Sequence, residues 1–216
     1  MTNLNAKTKL QFGKHRGSTV KEVKETNMKR RSKLLSLVLR HAPETVGITL
    51  DENGYANVDE LIPAMDKALT LQPFDFDILS SLVETSDKQR FAFNEDKTMI
   101  RASQGHSIKV DLELEEQVPP EVLYHGTAEH NKKNIYKKGI LKLKRNHVHL
   151  SRKPTTARDV GSRHGKAIIL KINTAAMYND GKKFYKSENN VWLTDKVEAK
   201  YILYALSYDS TKDKTK

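Results

Sequence analysis

The chain reads as an α+β protein of two lobes, the first helical and closed by a hairpin, the second mostly β. Three observations carry this reading. Apolar residues recur at helical spacing in two early segments, Leu34, Leu35, Val38 and Leu39, then Ile78, Leu79, Leu82 and Val83. Residues 110–116 alternate apolar and acidic side chains and are followed by Pro119-Pro120, the composition of a connector. Beyond Val122 the periodic segments are mostly short β-type runs separated by turn residues.

In chain order, residues 1–27 form a basic, flexible tail, with Lys7, Lys9, Lys14, Arg16, Lys21 and Lys24 spread through polar sequence. The first lobe spans 28–108. Its opening helix is expected to begin after Asn27, a suitable cap. Pro43 ends it, leaving Arg40 and His41 in the last turn, where the helix dipole favours cations. Asp51-Glu52-Asn53-Gly54 is a turn. Asn57 with Glu60 three residues on resembles a capping box, which predicts a helix over 58–69 that Pro63 kinks or divides. Another helix is expected over 75–85. A hairpin follows, from Arg90-Phe91-Ala92-Phe93 through the turn 94–97 to Met99-Ile100-Arg101. Helices followed by a hairpin make a winged-helix-like lobe. A linker occupies 109–121. The second lobe, 122–208, has strand candidates at 122–124, 148–150, 167–172, 183–185, 191–193 and 201–206. Helices are expected at 129–138, closed by Gly139, and at 155–160. Residues 209–216 form a short tail.

Lys and Arg number 38 against 27 for Asp and Glu, a net charge of +11 that points to a polyanionic partner, nucleic acid before a membrane surface. The absence of cysteine excludes disulfides and zinc–thiolate sites. The amino terminus has no apolar signal region and no segment is apolar enough to span a bilayer, so a cytoplasmic monomer without membrane attachment is expected.

The stretch Arg145-Asn146-His147-Val148-His149-Leu150-Ser151, read as a strand, puts Arg145, His147, His149 and Ser151 on one face. That face is a row of hydrogen-bond donors, and no acidic residue lies between Glu129 and Asp159. It suits a cleft that receives an anion, though a charged edge strand has the same pattern. Tyr124-His125-Gly126-Thr127 is expected to end a strand before a helix. Gly126 there would let a ligand approach the backbone, but a plain turn explains the triplet equally well. Gly161-Ser162-Arg163-His164-Gly165 reads as a surface loop able to contact a dinucleotide phosphate through Gly161, Arg163 and His164, without the spacing of a Rossmann site. His147 and His149 raise zinc, but no cysteine or nearby carboxylate completes a ligand set, and no metal is expected. Arginine and histidine suit binding phosphate rather than generating hydroxide.

Five stretches, in order and spacing, resemble the RNA (tRNA) 2′-phosphotransferase family. They are Ser32-Lys33-Leu34-Leu35-Ser36-Leu37-Val38-Leu39-Arg40-His41-Ala42-Pro43, Asp87-Lys88-Gln89-Arg90-Phe91, Arg101-Ala102-Ser103-Gln104-Gly105-His106-Ser107, Tyr124-His125-Gly126-Thr127 and the 145–151 stretch. The resemblance implies a winged-helix amino lobe and an ADP-ribosyltransferase-like, NAD-binding carboxyl lobe. It implies catalytic roles for Arg40, His41, Arg90 and Arg145, with Gln104 and His106 joining them at the RNA phosphate. It places His125, Gly126 and Thr127 at the nicotinamide nucleotide, with His149 and Ser151 on the facing strand. Val191 stands where many protein-modifying relatives of that fold carry a catalytic Glu, which argues against a protein acceptor. The implied reaction consumes NAD: the 2′-phosphate of a tRNA-like RNA attacks the ribose carbon bearing nicotinamide, and the ribose 2″-hydroxyl then attacks that phosphate. The products are 2′-OH RNA, ADP-ribose 1″,2″-cyclic phosphate and nicotinamide. Two alternatives are an ADP-ribosyltransferase acting on terminal phosphates of nucleic acids and a non-catalytic RNA-binding protein.

Overall fold

A computed structural model describes residues 20–69, 73–86 and 88–207. The tails expected over 1–19 and 209–216 lie outside them. Helix α1 (Val20–Val38) starts before Asn27, contrary to the sequence expectation. Asn27 loses its capping role because charged helix formers flank it, and Glu25 pairs with Lys29 at 2.6 Å across that turn. Leu35, Val38 and Leu39 are fully buried. The helix stops at Val38, so Arg40 and His41 stand in the turn beyond it rather than in its last turn. There the amides of His41 and Ala42 both reach the Leu37 carbonyl, and Pro43 opens a separate short turn.

Asp51 Oδ1 accepts from the amides of Asn53 and Tyr55 and turns the chain into β1 (Tyr55–Asn57). Asn57 caps α2 (Val58–Ala68) by accepting from the amides of Asp59 and Glu60. Pro63 does not divide α2. Both Pro63 and Asp59 are exposed, so water can satisfy the Asp59 carbonyl that the missing N–H leaves free. Asp75 caps α3 (Phe76–Glu84) through the Ile78 amide. β2 (Phe91–Phe93) and β3 (Met99–Ala102) form the hairpin, and β1 joins it in the order β1-β3-β2. Leu35, Leu39, Leu61, Met65, Leu79, Phe91 and Ile100 form one core.

Residues 110–115 run without regular structure, and Glu116 makes a bridge to Tyr185. β4 (Val122–Ala128) then extends past the expected strand and takes in His125-Gly126-Thr127. The triplet is no turn, because every residue of β4 is in register with β7 further on. A short turn, 129–131, precedes α4 (Lys132–Lys138), which ends at Gly139 with φ +80°. β5 (Ile140–Leu141), β6 (Val148–Leu150), α5 (Pro154–Gly161), β7 (Ala167–Asn173), α6 (Thr174–Asn179), β8 (Tyr185–Lys186), β9 (Trp192–Thr194), β10 (Lys196–Val197) and β11 (Ile202–Ser207) follow.

The sheets have the orders β11-β7-β4, β6-β9-β8 and β10-β5. β4 and β6 meet edge to edge where Tyr124 and Ser151 exchange both backbone hydrogen bonds, at 2.9 and 2.8 Å. Leu123, Leu150, Ile168, Leu170, Phe184 and Trp192 belong to a second core. The chain is thus a mixed α and β protein with two apolar cores. No helix among the described residues is long and apolar enough to cross a membrane.

Candidate active site

Residues 104–108 join the two cores. The Ser107 amide donates to the Arg40 carbonyl at 2.9 Å. The Asn146 amide donates to the His106 carbonyl at 3.1 Å, and Asn146 Nδ2 donates to the Ile108 carbonyl at 3.1 Å. One segment therefore holds both the turn after α1 and the approach to β6. Arg145 lies in that approach, its amide bonded to the Lys142 carbonyl, and not in the strand as the alternation suggested.

Arg40 Nη2 donates to the Arg90 carbonyl at 3.3 Å, and its guanidinium carbon lies 5.9 Å from the Phe91 ring centre. Burial, then Arg90, then Arg145 push the Arg40 pKa down to about 10. Three guanidinium groups from distant parts of the chain are therefore in electrostatic reach of one another. Among the described residues no carboxylate offsets the shift of Arg40 or of Arg145, whose own pKa is lowered by burial. His41 joins them. Its Nδ1 shares a hydrogen bond with Ser107 Oγ at 2.9 Å, and burial, Arg40 and Arg145 lower its pKa. The Arg90 backbone is held by Ser103, whose amide donates to the Arg90 carbonyl at 2.9 Å. Ser103 Oγ donates to the Gln89 carbonyl at 2.8 Å, and Asn189 Nδ2 donates to the Lys88 carbonyl at 2.9 Å.

Next to the arginines is a histidine pair with defined proton positions. His125 Nδ1 lies 3.0 Å from the His149 carbonyl, which can only accept, so Nδ1 carries the proton and Nε2 is an acceptor. Arg145 Nη1 lies 2.8 Å from His149 Nδ1, and a guanidinium can only donate, so His149 is neutral with its proton on Nε2. Burial first, then Arg145, His125, His147 and Arg40 push the His149 pKa down to about 3. Burial also lowers the pKa of His125, opposed by its bond to the His149 carbonyl. Beside the pair opens a cleft of about 300 Å³ lined by His125, Thr127, Asn131, Ile135 and Leu141 among others. Tyr124 uses its outer edge to bond Ser151, so by strand alternation the amide of Gly126, two residues on, points out along the same edge.

The sequence model of the family described as "RNA 2'-phosphotransferase, Tpt1 / KptA family" matches residues 26–196, most of the chain and all of this site. The protein belongs to this family. A probable RNA 2′-phosphotransferase from Flavobacterium johnsoniae is 57% identical over 171 residues, covering 79% of this chain and 93% of that protein. Proteins with the same description from Fusobacterium nucleatum (53% over 173 residues, 80% and 96%) and Nostoc punctiforme (48% over 171 residues, 79% and 93%) are also similar.

Placed against the site of this RNA 2′-phosphotransferase family member, other sequence-derived residues behave differently. Gly161 is not in a loop. It is the buried last residue of α5, where a Cβ would stand 2.8 Å from the Thr127 carbonyl oxygen. A Cβ on Gly126 would stand 1.6 Å from the Ala157 carbonyl oxygen, so both glycines let α5 lie against β4. Ser162, Arg163 and His164 form an exposed turn near the Ala128 end of β4. The contact shown for Ser151 is its backbone pairing with Tyr124. Gln104 and His106 line a second cleft with His149. Among the described residues no group of three His, Asp or Glu side chains could hold a metal ion. Sequence reading missed Ser103, Ser107, Asn146 and Asn189, whose side chains hold the site together. Asn146 carried the one available signal, an amide on the face otherwise occupied by Val148 and Leu150.

Proposed function

We propose that the protein removes an internal 2′-monophosphate from a tRNA-like RNA by transferring it to the ADP-ribose part of NAD. The products are 2′-OH RNA, ADP-ribose 1″,2″-cyclic phosphate and nicotinamide. In this reading residues 28–108 act as a winged-helix-like RNA-binding lobe, 109–121 as a linker and 122–208 as an ADP-ribosyltransferase-like lobe. The observation that carries it is Arg40 sharing one electrostatic site with Arg90 and Arg145, while Arg145 also bonds His149.

NAD fits the residues present. The cleft beside His125 and Thr127, the outward Gly126 amide and the His149 Nε2–H offer both apolar lining and directed polar groups. When bound, NAD supplies the ribose carbon that accepts the phosphate and nicotinamide as the leaving group. His125, Gly126, Thr127 and His149 hold and orient it.

A phosphate monoester has a second pKa of about 6 and is mostly a dianion at neutral pH, so positioning matters more than a base. Arg40, Arg90 and Arg145 bind its oxygens with the planar fork that lysine lacks. The same groups neutralise charge that gathers on the phosphoryl oxygens during transfer. His41, lowered below the ordinary histidine value, acts as a neutral hydrogen-bonding ring. Mutual repulsion among the three cations is relieved when the dianion enters, so the empty site is poised for it.

Incubating the protein with a 2′-phosphorylated oligonucleotide and NAD in EDTA tests the proposal. The expected products are 2′-OH RNA, the cyclic phosphate and nicotinamide. Inorganic phosphate without NAD consumption, or a strict metal requirement, would overturn it.

A further inference from the structure

A second cleft, of about 220 Å³, opens beside the arginines, and the transfer chemistry leaves it without a task. Gly105 in its wall touches the cluster, since a Cβ there would lie 3.7 Å from Arg40 Nη1. Cross-strand register sets His149, Leu193 and Tyr185 side by side on one face of β6-β9-β8. The Tyr185 ring packs on His147 with centroids 5.7 Å apart and planes tilted 59°. Leu112 from the connector adds an apolar wall.

His106 also lines this cleft. It is 1% exposed, and neither ring nitrogen has a hydrogen-bond partner. Two unsatisfied nitrogens on one buried ring are costly, and a native protein retains such a group where a ligand completes it. Burial, then Arg40, His41 and Arg101, push the His106 pKa down to about 4, against the nearby Leu39 carbonyl, so the ring is neutral at pH 7. A neutral imidazole has one donor and one acceptor, the complement of a nucleobase edge. The cleft is smaller than the usual range for drug-sized ligands and matches one heterocycle rather than a dinucleotide.

We infer that this cleft receives the base of the nucleotide whose 2′-phosphate the arginines hold, with Tyr185 and His147 against its face and His106 bonded to its edge. The inference rests on the 2′-phosphotransferase reading. Because the base enters by stacking and a single edge, several bases are accepted with modest preference.

Two 2′-phosphorylated oligonucleotides test it, identical except that one lacks the base on the phosphorylated sugar. The wild-type protein should favour the base-bearing substrate by about tenfold or more in kcat/KM, the range of base–aromatic stacking. Tyr185→Ala and His147→Ala should each reduce that ratio toward unity through the RNA KM, with the KM for NAD unchanged. His106→Gln, which keeps polar atoms in the cleft, should change which base is preferred. A wild-type ratio near unity would overturn the inference. So would variants that keep the ratio, or that raise the NAD KM and leave the ratio intact, which would place nicotinamide there instead. No turnover of either oligonucleotide by the wild type would overturn the 2′-phosphotransferase reading itself.

Discussion

Arg145 Nη1 donates to His149 Nδ1 across 2.8 Å, joining the phosphate-binding cations to the histidine pair. This bond assigns the His149 proton to Nε2. In solution, ¹⁵N NMR should show an unprotonated Nδ1 and no imidazolium at pH 5, since the His149 pKa is pushed down to about 3. In Arg145→Met the His149 pKa should rise, because the largest charge opposing protonation is gone.

Stability should fall in acid. His106 and His149 have folded pKa values of about 4 and about 3, below the ordinary unfolded value near 6.5. The unfolded chain then binds more protons, so stability is complete above about pH 6.5 and is lost as pH falls toward the folded values. Each ring accounts for on the order of 2 kcal/mol at pH 5. Urea midpoints at pH 7 and pH 5 measure this. His106→Gln should shrink the difference, and an unchanged difference would contradict the assignment.

Arg40 is predicted to be functional at a cost to the fold. Arg40→Met keeps the alkyl stem and removes a buried cation facing Arg90 and Arg145. The Arg90 carbonyl keeps its bond from the Ser103 amide. The variant should be more stable by on the order of 1 kcal/mol and lose about 10²–10³ in rate. Thermal melts with single-turnover assays check both signs.

Asn189 acts at a distance. Its amide fixes the Lys88 carbonyl, two residues before Arg90, from the other half of the chain. Asn189→Ala should lower kcat by about tenfold or more through misplacement of Arg90, with NAD affinity unchanged. Asn189→Gln, unable to reach the same position, should not rescue it.

Local chemistry was the legible part. Asn57 and Asp75 cap the helices that their positions announced, and the 91–102 hairpin forms where β residues flank a polar turn. Arg145 and His149 stood out as donors in a stretch without carboxylates, and the structure joins them. What depends on distant partners was hidden. His125-Gly126-Thr127 resembles a turn until β7 pairs with it, about forty residues later in sequence. Gly126 and Gly161 looked like ligand-facing glycines, yet each accommodates backbone of the other's element, which no local pattern encodes. The 104–108 segment that ties Arg40 to Asn146 has no periodicity at all.

The central claim is that Arg145 binds the RNA phosphate in concert with Arg40 and Arg90. Single-turnover removal of a 2′-phosphate by Arg145→Ala, alongside its NAD affinity by thermal shift, tests this most directly. The account predicts a folded variant that binds NAD and releases the phosphate about 10²–10³ more slowly. Release at close to the wild-type rate would contradict it.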